Sequence, residues 1–401
     1  MAVDPQHVGA RIEVGRHLRD LGRLDEAEAA YHGILAAAPK QKDALIGLGQ
    51  LLRLRGDAAG SLACFEQVVA IDPQHVGARI EIGGRLRDLG RLEEAEAAFR
   101  GILEAAPKQK DALIGLGQLL RLRGDAAGSL ACFEQVVALD PQHVGARIEI
   151  GQRLRELGRF ADAEAVFRQL VTETPEHVGA YFALSLMLID LFRLSDAESV
   201  LRDLQNRTPG ALEVQLGLGY LARKRGNRAL ALARFRAAAF IDPHHIGAKL
   251  EIATELRDKG EFADAERQIQ SVLDTDPANL GALSQRAQIL RRKGDHEAAL
   301  RAFETVWERH PHHVAALVEM AVDARALGRP EQSKQFLDRA LEQDPDNLPA
   351  LVQSAEHALL AEYLDEALRL CHLAQAAHPE SPWPLLVAAR ACRLGSHGRG
   401  P

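Results

Sequence analysis

Small, apolar and polar residues recur along this chain with a period of 34 residues. Prolines mark the period most plainly, because they stand every 34 residues from Pro5 to Pro379. With Val8 as position 1 of the first repeat, position 8 is always Gly, Ala or Ser, and position 20 is always Ala or Ser. Position 24 is always apolar and most often Phe. Fixed self-similarity with a period of about 20 to 50 residues indicates stacked structural repeats.

The pattern inside one repeat predicts two helices. Helices approach closely only where small residues face each other, so positions 8 and 20 predict a tightly packed pair. Position 15 is Gly in nine repeats, which suits a left-handed turn between the helices, and the Pro at position 32 ends the second helix. We therefore expect helix A over positions 1–14 and helix B over positions 17–30.

This phase divides the whole chain. Residues 8–381 hold eleven repeats, residues 1–7 form an N-terminal turn segment, residues 382–395 form a half-repeat that caps the array, and residues 396–401 form a flexible tail. Residues 4–71 and 72–139 are identical at 60 of 68 positions, so pairs of repeats were duplicated together.

Composition narrows the class of protein. Aromatic residues make up only 4% and strong helix formers dominate, which favours an all-α fold. The net charge of −7 argues against a nucleic-acid partner, since non-specific binding to polyanions needs a basic excess. No apolar run is long enough for membrane insertion, the first residues do not resemble a signal peptide, and four cysteines do not make a disulfide framework. We expect a cytoplasmic protein.

Candidate catalytic chemistry is lacking in the sequence. None of the common nucleotide-binding, hydrolase or zinc-binding motifs occurs, so we expect no enzyme activity, no cofactor and no metal. Histidines recur at position 34, but they lie whole repeats apart, and a polar residue at the start of helix A is the favoured interpretation. Cys64 and Cys132 are expected to be buried free thiols.

Small residues at positions 8 and 20, an aromatic residue at position 24 and proline at position 32 of a 34-residue period resemble the tetratricopeptide repeat family. The resemblance covers nearly the whole chain. It implies a right-handed superhelical solenoid of about eleven and a half repeats. It also implies that the A helices line a concave groove, with positions 2, 5, 9, 12 and 13 facing it.

If that carries over, the groove holds an arginine ladder, which we define as the Arg residues at position 12 of nine repeats. Its members are Arg19, Arg53, Arg87, Arg121, Arg155, Arg223, Arg257, Arg291 and Arg325. Guanidinium groups suit carboxylates and backbone carbonyls of a bound segment. The alternative is that the ladder pairs with the acidic residues at positions 6 and 13 and stiffens neighbouring repeats.

The ladder is interrupted in the sixth repeat by apolar residues. Phe182, Leu186 and Ile189 stand at positions 5, 9 and 12 there, and Leu216 and Tyr220 follow at positions 5 and 9 of the seventh. Exposed apolar clusters and arginines are typical of binding sites. The predicted site consists of four anchors and four polar contacts, namely Phe182, Leu186, Ile189, Tyr220, Arg155, Arg223, Arg257 and Arg291.

The function predicted from these features is a non-catalytic scaffold or adaptor that binds a peptide segment or a partner protein, including one with acidic groups, in the groove. Two alternatives stay open. The chain could be the substrate-recruiting region of a larger modifying enzyme of the glycosyltransferase or sulfotransferase type. It could also be a scaffold that forms homo-oligomers through its apolar terminal helix.

Overall fold

A computed structural model describes residues 8–311, 313–379 and 381–397 of the chain, with side chains up to Arg393. Within these ranges the chain forms 23 helices and no strand, which confirms the all-α prediction. The predicted turn segment 1–7, His312 and residues 398–401 lie outside the described residues.

Eleven helix pairs follow one another along the chain, and a single helix ends it. The A helices and the final helix are α1 (Val8–Asp20), α3 (Lys42–Leu54), α5 (Val76–Asp88), α7 (Lys110–Leu122), α9 (Val144–Glu156), α11 (Val178–Asp190), α13 (Leu212–Lys224), α15 (Ile246–Lys259), α17 (Leu280–Arg292), α19 (Val314–Ala326), α21 (Leu348–Leu360) and α23 (Trp383–His397). The B helices are α2 (Leu24–Ala37), α4 (Ala58–Ile71), α6 (Leu92–Ala105), α8 (Ala126–Leu139), α10 (Phe160–Glu173), α12 (Leu194–Arg207), α14 (Arg228–Ile241), α16 (Phe262–Leu273), α18 (His296–Arg309), α20 (Pro330–Gln343) and α22 (Leu364–Ala377).

The chain divides into two compact units, Met1–Thr208 and Pro209–Pro401. Unit 1 holds helices α1–α12 and unit 2 holds α13–α23. Within each unit an A helix packs against its own B helix, and the B helix packs against the A helix of the next repeat. Each unit is therefore a solenoid, since its core is rebuilt at every repeat from neighbours in sequence.

The core forms where the sequence pattern places its small residues. Every residue at position 20 is essentially inaccessible to solvent, and the aromatic ring at position 24 lies against position 8. At Gly151 a Cβ atom would stand 2.5 Å from the ring of Phe167, well inside van der Waals contact. The fit explains why a small residue is needed at position 8 and confirms the predicted helix pair.

The turn between the two helices also follows the prediction. All nine glycines at position 15 have positive φ, from 71° at Gly328 to 86° at Gly260. Phe192 and Glu362 adopt the same left-handed conformation, with φ of 57° and 63°, although they carry side chains. Most A helices end at position 13, one residue earlier than predicted, and all B helices begin at position 17 as predicted.

Histidines at position 34 begin the A helices. The Nδ1 atom of His75 accepts a hydrogen bond from the backbone N–H of Ala78 at 3.0 Å, and His143 bonds Ala146 in the same way. A side chain that accepts a bond from the third helical N–H caps an otherwise unpaired donor. The structural interpretation is therefore confirmed for His75, His143, His177 and His245, whereas His313 begins α19 without a side-chain capping bond.

The last helix runs two residues into the predicted tail. Helix α23 continues to His397, whereas the half-repeat was expected to end at residue 395. No B helix follows α23 within the described residues.

Candidate binding surface on the A helices

We call the side chains at repeat positions 2, 5, 9, 12 and 13 of the A helices the A face. On α11 these residues are Gly179, Phe182, Leu186, Ile189 and Asp190. Residues three and four apart share one side of a helix, so these positions form a single stripe. The stripe does not include position 8, which is the place where helix A meets the side chain at position 24 of helix B. The A face is thus the part of each A helix on which a bound segment was predicted.

The apolar residues predicted as anchors differ in exposure. Phe182 and Leu186 of α11 are half-buried, whereas Ile189 is only 4% exposed and belongs to the core. In unit 2, Leu216 is buried as well. A short aliphatic side chain cannot reach solvent from position 12 as an arginine does, because it lacks the long stem with a charged end. Ile189 therefore contributes to packing, and Phe182 and Leu186 are the anchors that retain accessible surface.

Tyr220 lies in a charged network within unit 2. Its hydroxyl donates to Oε1 of Glu251 at 2.8 Å, and its ring meets Phe235 edge-on with centroids 5.3 Å apart. Burial raises the pKa of Tyr220, and the carboxylate of Glu251 raises it further. The hydroxyl thus stays protonated and links the seventh repeat to the eighth.

Arg223 belongs to the same network. Its Nη2 donates to Oε2 of Glu251 and its Nε donates to Oε1 of Glu255, both at 2.5 Å. The guanidinium carbon also stands 4.9 Å from the centre of the Phe235 ring, within cation–π range. Both carboxylates come from the following repeat, so Arg223 bridges two repeats.

The other two arginines of the predicted site in unit 2 are engaged in the same way. Arg291 donates to the two carboxylate oxygens of Asp323 at 2.8 and 2.7 Å and to the backbone carbonyl of Glu319 at 2.9 Å. Arg257 bonds Gln288 of the next repeat and Asp258 beside it. In unit 2 the interpretation that the ladder pairs internally is therefore the one that the contacts support.

The arginines of the ladder are less completely hydrogen-bonded and paired in unit 1. Arg155 stands 3.5 Å from Asp190, and both side chains are substantially exposed. Arg19 donates to Gln50 of the next repeat at 2.6 Å. Within the part of the chain that the structure describes, Arg53 and Arg121 are exposed and have neither a hydrogen bond nor an ion pair. Guanidinium groups thus remain available for a ligand in unit 1.

Sequence reasoning missed the residues at position 10. This position is apolar in the second, fourth, seventh and ninth repeats and charged in the repeat that follows each of them. The charged residues are Arg85, Arg153, Glu255 and Asp323, and all four are buried. The alternation was visible in the sequence, but its meaning depends on which side chain of the preceding repeat faces position 10.

Other candidate chemistry is either structural or missing from the described part of the chain. Cys64 and Cys132 are buried free thiols as predicted, and burial raises the pKa of the Cys64 thiol to about 11. Over residues 8–311, 313–379 and 381–393, no three His, Cys, Asp or Glu side chains come together as a metal would require. None of the described helices is long and apolar enough to cross a membrane.

Comparison with known families identifies the repeat. Two tetratricopeptide repeat models match, one at residues 14–76, 81–144 and 250–314 and the other at residues 120–185 and 290–361. The chain belongs to the tetratricopeptide repeat family. Together the two models match well over half of the chain, in both units, and they confirm the resemblance seen in the sequence.

One solved structure agrees with this assignment at the level of the fold. Yeast Tom70 aligns with a TM-score of 0.56 at 15% identity, covering 98% of this chain and 96% of that one. The APC/C hetero-tetramer Cut9-Hcn1 aligns with a TM-score of 0.49 at 13% identity, covering 94% and 95%. No curated protein matches the sequence.

Proposed function

We propose that this tetratricopeptide repeat protein is a non-catalytic interaction scaffold that holds a peptide segment or partner protein along its A face. The observation that carries the proposal is the half-buried pair Phe182 and Leu186 on α11. They bring apolar side chains to positions 5 and 9 while keeping part of their surface accessible. An apolar group that is partly buried before binding loses little side-chain entropy when a partner covers the rest.

The arginines divide between two roles in this proposal. Arg155 lies in the repeat before α11, and its weak, exposed contact with Asp190 can be exchanged for a contact with a partner at little cost. Arg223, Arg257 and Arg291 hold neighbouring repeats together through acids and amides of the next repeat. We assign these three to the shape of the scaffold, since a ligand would have to replace bonds that are already made.

The test is differential capture of partners from lysate of the cells that make the protein. Leu186→Glu places a charge in the proposed apolar contact, whereas Leu139→Glu makes the same change at a half-exposed position at the end of a B helix in unit 1. Far-UV circular dichroism checks that both variants remain helical.

We expect the Leu186→Glu variant to capture at least about tenfold less of one or more proteins than the wild type does. The reason is that a buried uncompensated charge costs more than the apolar contact it replaces. The Leu139→Glu variant should keep them. Equal partner sets for the wild type and Leu186→Glu would show that the A face of α11 is not the interface.

Self-association is a second candidate function, and one observation favours it. Leu385 is 59% exposed on α23, and Ala389 and Cys392 follow on the same side, all at positions where other A helices meet a B helix. A second copy could cover this stripe. Light scattering at two protein concentrations tests it: a mass that rises with concentration and falls back in Leu385→Glu supports assembly, and a constant monomer mass excludes it.

A further inference from the structure

Position 12 of one repeat and position 10 of the next both hold Arg, Asp or Glu at four junctions between described repeats. In unit 2 these pairs are direct ion pairs: Arg223 contacts Glu255 at 2.5 Å, and Arg291 contacts Asp323 at 2.7 Å. In unit 1 the same two positions hold Arg53 with Arg85, and Arg121 with Arg153. The register that joins opposite charges in unit 2 therefore joins like charges in unit 1.

The buried members of the two arginine pairs are only partly hydrogen-bonded within the described structure. Arg153 is 2% exposed, and neither its Nε nor its Nη1 has a hydrogen-bond partner within the described structure. Its Nη2 reaches Glu156 at 3.0 Å and Glu149 at 3.8 Å, both on its own helix. Buried N–H groups of a charged side chain are costly when unpaired, and neither Nε nor Nη1 is reached by the nearby carboxylates, although the Oε2 atom of Glu149 is also buried without a hydrogen-bond partner.

Arg85 repeats this situation 68 residues earlier. It is 6% exposed, its Nε has no hydrogen-bond partner in the described part of the chain, and its Nη2 reaches Asp88 at 3.0 Å. The same arrangement thus occurs twice in unit 1, and each copy has an exposed arginine, Arg53 or Arg121, one repeat before the buried one.

The local charge points to an anion as the missing acceptor. Burial lowers the pKa of Arg153, and the like charges of Arg121 and Arg155 lower it further, against the opposing effect of Glu156 and Glu149. The charges of Arg121 and Arg155 therefore each act on the guanidinium group of Arg153. With position 12 of the same repeat and the acids at positions 6 and 13 counted, the Arg85 site holds three arginines and two carboxylates. The Arg153 site holds three arginines with Glu149 and Glu156, and its third arginine, Arg155, also stands 3.5 Å from Asp190. A site with excess positive charge and unfilled donors is complementary to an oxyanion.

We propose that the pairs Arg53–Arg85 and Arg121–Arg153 are two receptors for oxyanion groups, carboxylate or phosphate, carried by the polypeptide on the A face. This inference rests on the proposed function. The buried arginine supplies fixed N–H donors, and the exposed, flexible arginine closes on the anion from the solvent side. Planar guanidinium groups bind carboxylate and phosphate oxygens through two parallel bonds, which the fixed orientation of Arg85 and Arg153 favours.

The experiment uses three fluorescein-labelled twelve-residue peptides and the full chain. One peptide alternates glutamate with glycine, the second has phosphoserine in place of glutamate, and the third has glutamine. Fluorescence anisotropy gives the Kd of each. The Arg85→Met, Arg153→Met double variant removes the buried donors and keeps side-chain volume. The Arg100→Met, Arg168→Met double variant is the control. It removes the same number of positive charges from the same two repeats, but at exposed positions of the B helices.

We expect the wild type to bind one or both acidic peptides and not the glutamine peptide. The Arg85→Met, Arg153→Met variant should lose at least about tenfold in affinity, because charge-assisted hydrogen bonds are lost at both sites, while the control changes less than about twofold. Much tighter binding of the phosphoserine peptide would identify phosphate as the ligand group, and equal or tighter binding of the glutamate peptide would identify carboxylate.

Three results would overturn the proposal: no acidic peptide binding with a Kd below about 1 mM, no loss in the double variant, or equal loss in the control, which would indicate general electrostatic attraction. These outcomes are separable from failure of the scaffold function. If Leu186→Glu abolishes partner capture while the peptides bind all arginine variants alike, the scaffold stands and the oxyanion receptors do not. If peptide binding depends on the arginines but partner capture is insensitive to Leu186→Glu, the oxyanion receptors stand and the proposed scaffold contact on α11 does not.

Discussion

Replacing Arg153 by methionine should stabilise the protein, although it removes a charged residue that makes an ion pair. Arg153 buries a charge on α9, and two of its nitrogen atoms have no hydrogen-bond partner in the described structure. Methionine has similar length and flexibility and carries no polar hydrogen, so it fills the same space without unmet donors.

The size of the effect follows from the contacts that are lost. Each unpaired buried donor costs about 1–3 kcal/mol. The pair with Glu156 contributes less than about 1 kcal/mol, because that carboxylate is nearly half exposed. Glu149 is 25% exposed, and its Oε2 atom, which is buried without a hydrogen-bond partner, must turn towards water when Arg153 is removed. The balance favours Arg153→Met by about 2 kcal/mol, within the range seen when buried charges are replaced by apolar residues.

Hydrogen exchange followed by mass spectrometry is the suitable assay, because long repeat arrays do not unfold in one two-state step. A gain of about 2 kcal/mol slows exchange of the protected α9 amides about thirtyfold. The matched control is Asp323→Asn, at the same repeat position. It removes the buried negative charge and replaces one of the two carboxylate oxygens that contact Arg291 and His296 by an amide donor, so it should speed exchange in α19. Faster exchange of α9 in Arg153→Met would refute the reasoning, since it would show that Arg153 is satisfied in the folded protein.

Three further predictions concern packing, turn strain and pH. Gly151→Ala should lower the thermal midpoint, because the new Cβ would stand 2.5 Å from Phe167, whereas Gly84→Ala, with open space around it in the same kind of helix, should raise it by helix propensity. Glu362→Gly should stabilise the last complete repeat by about 1 kcal/mol in urea unfolding, since it relieves a positive φ of 63°. Burial raises the pKa of Asp258, but hydrogen bonds from two arginines outweigh it and lower that pKa in the folded protein. The ionised carboxylate therefore stabilises the fold above the pKa that Asp258 has in the unfolded chain, and this stabilisation is lost as the pH falls through its pKa in the folded protein. Exchange in α15 should therefore accelerate below about pH 4 in the wild type and depend less on pH in Asp258→Asn.

Most of the fold could be predicted because its determinants are local in sequence. The fit between Gly151 and Phe167 needs only two residues of one repeat at a fixed separation, and a glycine lies against an aromatic ring in this way in six of the eleven repeats. The left-handed turn depends on a single residue of each repeat, so the glycines at position 15 of nine repeats were enough to predict it. Phe192 and Glu362 adopt the same turn although residues with side chains disfavour it, so the packing of the repeats imposes this conformation on them.

The candidate site could be predicted only in part, because it depends on contacts between repeats. The sequence places Phe182, Leu186 and Ile189 on one stripe, but it does not show that Ile189 turns into the core. It shows an arginine at position 12, but the partner of each arginine depends on the distance and rotation between successive A helices. Arg223 and Arg291 use position 10, which was not among the positions considered, together with position 6, which was.

The charged residues at position 10 differ in sign between the two units, since they are arginines in unit 1 and acids in unit 2. Where position 10 is acidic, as at Glu255 and Asp323, the preceding arginine is held in place and its charge is neutralised inside the protein. Where it is arginine, as at Arg85 and Arg153, the same helix geometry leaves donors unfilled and the counter-charge must come from elsewhere. Stability alone would favour the acidic choice at all four junctions, because it pairs the arginine at position 12 with an opposite charge and not with a second guanidinium group. The arginine pairs of unit 1 cost stability, and a ligand that supplies the missing oxyanions would recover that cost on binding.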